Sequence, residues 1–125
     1  NALFQRVRLA ARDRAAELGE LEAANAALTQ PPSRPTMTAE SWRDALAAYR
    51  SEHATLGDGP DARSPQLLIV DRDAQPGVWR ARQIIDDPEG HHDWAIVATV
   101  DLDASDAAGE PVVCVDSFSA DSLSG

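Results

Sequence analysis

The apolar residues of this chain change their period at Gly57-Asp-Gly-Pro60. Ahead of that point they recur every three or four positions, as helices require. Beyond it they recur at every second position, as half-buried strands require. A chain divided in this way does not interleave helices and strands into a parallel sheet. It packs a helical layer on a sheet of consecutive, mainly antiparallel strands, an α+β arrangement. The 125 residues suffice for a single domain. At this length about two-thirds of the unfolded surface is buried. That is core enough without covalent staples, and the lone Cys114 could not form one within the chain.

The helical half divides at Thr29-Gln-Pro-Pro-Ser-Arg-Pro35, where three prolines remove donors and fix φ. Residues 1–28 read as one long helix with Phe4, Val7, Ala11, Leu18, Leu21 and Leu28 on one stripe, and Gly19 marks a kink or break in it. Residues 29–37 form a Pro-rich connection. Residues 38–56 read as a second helix, with Thr38 as its N-cap and Trp42, Leu46, Tyr49 and His53 along its apolar face.

Residues 66–118 supply four strands: Gln66–Arg72, Val78–Asp86 across a Gln75-Pro-Gly77 turn, Trp94–Leu102 with a clean period of two, and Pro111–Phe118. Asp86-Asp-Pro-Glu-Gly90 and Ser105-Asp-Ala-Ala-Gly109 have the composition of turns. The polar stretch 119–125 reads as a frayed tail. The core expected from these patterns holds Phe4, Trp42, Leu46, Tyr49, Leu68, Trp79, Ile85, Trp94, Ile96 and Val100. Ala95, Val97 and Thr99, continued by Val113 and Val115, form an apolar strip on the other sheet face. A second copy of the chain could cover that strip.

Charge narrows the partners. The formal net charge is −10, there is no lysine, and residues 83–125 carry ten acids with no arginine. Such a field repels phosphates, and duplex binding needs cations to release counterions, so direct nucleic-acid binding is not expected. Arg6, Arg8, Arg12 and Arg14 read as the solvated face of the first helix. No apolar run reaches the roughly 20 residues of a membrane span, and no secretory signal is evident, so a cytoplasmic chain is expected.

Chemistry-bearing residues are few. His91-His92-Asp93-Trp94 is the most conspicuous cluster. Adjacent histidines on an extended strand point to opposite faces, so this run alone makes no compact metal site. His53 with Asp93 or Asp101 would complete a two-histidine donor set, but the spacing gives it no support. The segment reads as a turn in which Asp93 caps backbone groups and Trp94 enters the core; neither a metal nor another cofactor is expected. His53 beside Tyr49 could serve acid–base chemistry if a partner positioned it, and otherwise packs. Arg80 and Arg82 share one strand face and could grip a carboxylate or phosphate, or pair across to Asp101 and Asp103. No phosphate loop, nucleophile elbow or other catalytic constellation occurs, so no catalytic residue is expected.

The strings Gly57-Asp-Gly-Pro-Asp-Ala-Arg-Ser-Pro65, Trp79-Arg-Ala-Arg-Gln-Ile-Ile-Asp-Asp-Pro88, His92-Asp-Trp94 and Val100-Asp-Leu-Asp-Ala-Ser-Asp-Ala-Ala-Gly109 carry a resemblance. They resemble the C-terminal part of the long uncharacterised domain that follows the ATPase core in DEAD/DEAH-box helicases of high-GC bacteria. The resemblance covers most of residues 40–118. It implies a C-terminal piece of a larger protein and a non-catalytic accessory role, with ATP hydrolysis and unwinding left to the parent chain. The implied partners are upstream helicase domains or another protein. A second, architectural resemblance is to the NTF2-like (cystatin-like) class, in which a curved sheet and a helix enclose a cavity. That likeness implies a small-ligand-binding or enzymatic pocket between helix 38–56 and the sheet, near Tyr49, His53, Arg80 and Arg82.

Overall fold

The computed structural model describes residues 2–120. Three helices, α1 (Ala2–Ala11), α2 (Ala15–Leu28) and α3 (Ala39–Glu52), precede two short 3-10 turns. Strands β1 (Leu68–Gln75), β2 (Val78–Ile84) and β3 (Trp94–Asp101) follow, then helix α4 (Leu102–Ala108) and strand β4 (Val113–Ala120). The four strands lie in sequence order and are antiparallel throughout. The architecture is α+β.

The first helical segment is two helices, not one. It breaks at Arg12-Asp13-Arg14, where Asp13 adopts φ +56° and the Asp13 and Arg14 amides bond back to Ala10 and Leu9. Aspartate is among the few side chains that enter this left-handed region readily. The break lets α1 fold back along α2, where Arg50 of α3 holds it by donating to Ala11 O and Asp13. Gly19, the expected break point, lies inside α2. There the N-terminus of α3 comes so close that a Cβ on Gly19 would sit 2.7 Å from the Ala39 nitrogen.

α3 begins as expected, with the Thr38 hydroxyl accepting from Ser41 N at 3.2 Å. It ends at Glu52 rather than residue 56, because His53 takes an extended backbone and the Tyr49 hydroxyl donates to Thr55 O at 2.6 Å. Its buried face fills the space over the sheet with rings. Trp42 packs on Phe118 at 5.7 Å between centroids, Tyr49 stands edge-on to Trp94 at 5.4 Å, and Trp94 meets Phe118 at 5.2 Å. Seven of the ten expected core residues are buried here: Phe4, Trp42, Leu46, Tyr49, Ile85, Trp94 and Ile96. Leu68, Trp79 and Val100 face the same way but are only half-buried.

Several strand boundaries move. Gln66 and Leu67 belong to the 3-10 turn opened by Pro65, so β1 starts at Leu68 and runs on to Gln75. β2 ends at Ile84, with one further ladder bond from Ile85 N to Trp94 O. β3 stops at Asp101, whose carboxylate accepts from Ala104 N and starts α4 where a loop is expected; Gly109, at φ +75°, ends that helix. Ser119 and Ala120, assigned to the tail, complete β4, and residues 121–125 lie outside the described residues.

Val113 and Val115 pair with Val100 and Ala98 and are buried in the core. They do not extend the strip of Ala95, Val97 and Thr99 on the other sheet face, of which Ala95 is itself buried and Val97 and Thr99 are half-buried.

The outer edge of β4 is closed at its start, at Val113 and Val115, by side chains from α1 and α2. Arg6 donates to Val113 O, Asn25 Oδ1 accepts from Val113 N, and Glu22 Oε1 accepts from Val115 N, while Arg6 Nε bonds Glu22 Oε2 at 3.0 Å. Arg6 is therefore not solvated as its helical position suggests; only 1% of it is exposed. A strand edge left open invites pairing with other chains, and buried donors and acceptors prevent it.

Candidate functional site

Among the described residues, histidines and carboxylates converge at one place, the junction of α3 with the β2–β3 connection. His53 follows directly on α3, and its amide still donates to Tyr49 O. Its ring lies 5.2 Å from the Tyr49 ring and is 3% exposed. The chain beyond it is drawn to the connection by a bond from Gly57 N to Asp86 O. A Cβ on Gly57 would sit 2.9 Å from that carbonyl, so the approach is open to glycine alone.

Residues 85–93 wrap around a buried carboxylate. Asp87 accepts from His91 N at 2.9 Å and from His92 N at 2.7 Å, and its carbonyl accepts from Gly90 N. Two left-handed residues, Gly90 at φ +72° and His92 at φ +53°, turn the chain back over it. His91 and Asp93, two residues apart on either side of left-handed His92, both come to the His53 ring. Trp94 then enters the core with its Nε1 donating to Glu52 at 3.0 Å.

Around His53 stand three acids. Glu89 Oε1 lies 2.6 Å from Nδ1, Asp93 Oδ1 lies 3.1 Å from Nε2, and Asp87 Oδ2 lies 3.8 Å from Nδ1. The His91 ring stands edge-on to the His53 ring at 5.7 Å. Burial works against a charged His53, but the bonds to Glu89 and Asp93 and the Asp87 charge outweigh it and raise its pKa. Burial likewise works against ionised Asp87, yet the His91 and His92 amides and nearby His53 hold its carboxyl below the ordinary value. Burial, reinforced by the Asp87 charge, pushes the Tyr49 phenol upward, so that it stays protonated.

One ligand atom each from His53, Asp87, His91 and Asp93 can be chosen so that all lie within 4.8 Å of one another. Asp101, the other acid considered with His53, caps α4 instead. Asp87 is the member that sequence reasoning missed, because it reads as an ordinary turn acid. The available signal was an Asp-Pro pair followed by glycine and two histidines, a segment able to close on its own carboxylate.

The four residues singled out as ligand-binding do not converge. Tyr49 and His53 lie together on the helical side of the sheet. Arg80 and Arg82 alternate with core-facing Ala81 and so lie on the opposite face. Opposite them stand Thr99 and Val97 rather than Asp101 and Asp103, and Arg80 reaches Asp116 at 3.6 Å.

A separate apolar depression of about 240 Å³ opens beside the start of α1, lined by Leu3, Leu68, Val70, Trp79, Ala81, Val100, Pro111 and Val113. It collects the three expected core residues that are only half-buried.

No solved structure matches this chain. Residues 1–118 match the family described as Domain of unknown function (DUF3516), and the chain belongs to that family.

Proposed function

We propose that this domain is a non-catalytic accessory module of a cytoplasmic bacterial DEAD/DEAH-box helicase and acts by docking on another folded surface. ATP hydrolysis and unwinding would belong to the parent chain. The reading draws its helicase context from the resemblance of residues 57–65, 79–88, 92–94 and 100–109 to the domain that follows such ATPase cores. The observation that carries the docking role is the depression at Leu68, Val70, Trp79 and Val100, an apolar concavity at the sheet end that the helices leave uncovered. The acids of residues 83–125 would add attraction to a basic surface, which speeds encounter more than it tightens the complex. Its partner is the upstream helicase core or a second protein that this core recruits. No helix among the described residues is long and apolar enough to cross a membrane.

The test uses the parent helicase core and this domain as separate chains. Calorimetry should register a complex, and Val70→Lys should weaken it about tenfold or more, since central apolar contacts dominate such interfaces. The melting temperature of the variant shows that the domain remains folded. A complex indifferent to both Val70→Lys and Val100→Lys, or no complex at all, would overturn the reading.

A further inference from the structure

We propose that His53, Asp87, His91 and Asp93 form a site for one divalent transition-metal ion of the zinc class, clamping the end of α3 to the β2–β3 connection.

Three observations carry this. The first is convergence: four donors from two distant segments lie within 4.8 Å. Metal–ligand bonds of about 2.0–2.2 Å place neighbouring ligand atoms roughly 3–3.5 Å apart, so small side-chain rotations close the set. The second is charge. The Asp87 side chain is wholly buried, and the only basic group paired with it among the described residues is His53, at 3.8 Å, beyond hydrogen-bonding reach. Glu89 and Asp93 crowd the same imidazole. Glu89 and Asp93 are partly exposed, so the charge that needs balancing is that of buried Asp87, and buried charges are stable when paired or when they bind metal.

The third is second-sphere support. Asp87 is fixed by two backbone amides, and each His53 ring nitrogen has a carboxylate at hydrogen-bonding distance. With Nε2 meeting the ion beside Asp93, Nδ1 keeps Glu89 as its acceptor, as metal-bound histidines generally do. Two imidazoles with two carboxylates favour zinc-like ions over magnesium or calcium, which prefer all-oxygen shells. His91 is exposed and Asp93 partly so, which gives the ion a way in, while Tyr49 closes the inner side.

The experiment takes the whole chain, stripped with chelator, and titrates it with zinc, cobalt(II) or magnesium. Calorimetry should give one zinc per chain, cobalt(II) should develop the visible bands of a four-coordinate site, and zinc should raise the melting temperature. Magnesium should do none of these. His91→Ala and Asp93→Asn should each weaken zinc binding about tenfold or more and remove the cobalt bands, whereas His92→Asn should keep both. His91 and Asp93 are not core residues, so either variant remains informative should the other fail to fold. The proposal is overturned if zinc binds no better to the native chain than to these two variants, or if magnesium matches zinc.

Discussion

Arg6 and Glu22 divide their polar atoms between each other and the backbone of β4. Glu22→Ala would leave Arg6 with a buried, uncompensated charge and Val115 N without an acceptor. It should cost about 3–5 kcal/mol, read from the urea midpoint. Burial raises the Glu22 carboxyl above its ordinary 4.5, outweighing the pull of the Val115 amide and of Arg6. The folded state thus holds this proton more tightly than the unfolded chain does. Its contribution is full below the ordinary value and is lost as pH rises through the raised one. Glu22→Gln does not titrate, so its stability relative to the native chain should rise with pH through the raised value. It starts from a lower point, since its NH2 faces a donor, Arg6 Nε or Val115 N, and Arg6 is left uncompensated. A glutamine variant that loses ground as pH rises would show the Arg6 charge dominating the pair. None of this is legible in a helical pattern, where Arg6 looks like its solvated neighbours Arg8 and Arg12. What buries Arg6 is β4, more than a hundred residues away.

Elements are legible wherever period and punctuation agree, as in α3 behind its Thr38 cap and the β1–β2 turn at Gly77. They are obscured where one signal masks another. The period of two that starts at Trp94 runs through Leu102, and so hid the capping role of Asp101 and the Gly109 stop that together delimit α4. The break between α1 and α2 contains neither glycine nor proline; only tertiary packing explains why Asp13 turns there. Gly19 shows the reverse, a glycine that permits contact rather than a bend. In an isolated helix Gly19→Ala would stabilise by about 1 kcal/mol. Here the new methyl would press on the Ala39 backbone and should destabilise by about 1–3 kcal/mol, visible as a lower melting temperature. An alanine variant that melts higher would mean α2 and α3 separate without cost.

For the molecule as a whole, three of the four members of the His53 cluster are on view in the sequence. His53, His91 and Asp93 drew notice as residue types, but their meeting depends on a left-handed His92 and on a connection folded around Asp87. Neither leaves a periodic trace. Charge, by contrast, needs no fold to be read. With the net −10 confined to residues 83–125, the isolated domain should show no binding to single- or double-stranded nucleic acid in fluorescence anisotropy at physiological salt. Tight binding with a steep salt dependence would contradict that.

The sheet has two unlike ends. Arg6, Glu22 and Asn25 occupy the backbone of β4, whereas β1 lies at the opposite margin with Ile69 exposed. Fibres built by lateral addition of strands need every subunit to offer both a giving and a receiving side. A subunit with a single receptive margin can join one neighbour through it, after which growth has nowhere to continue. The Arg6–Glu22–Asn25 cluster therefore bars strand addition along the Val113–Val115 stretch of β4, and its removal would open that stretch to a neighbour.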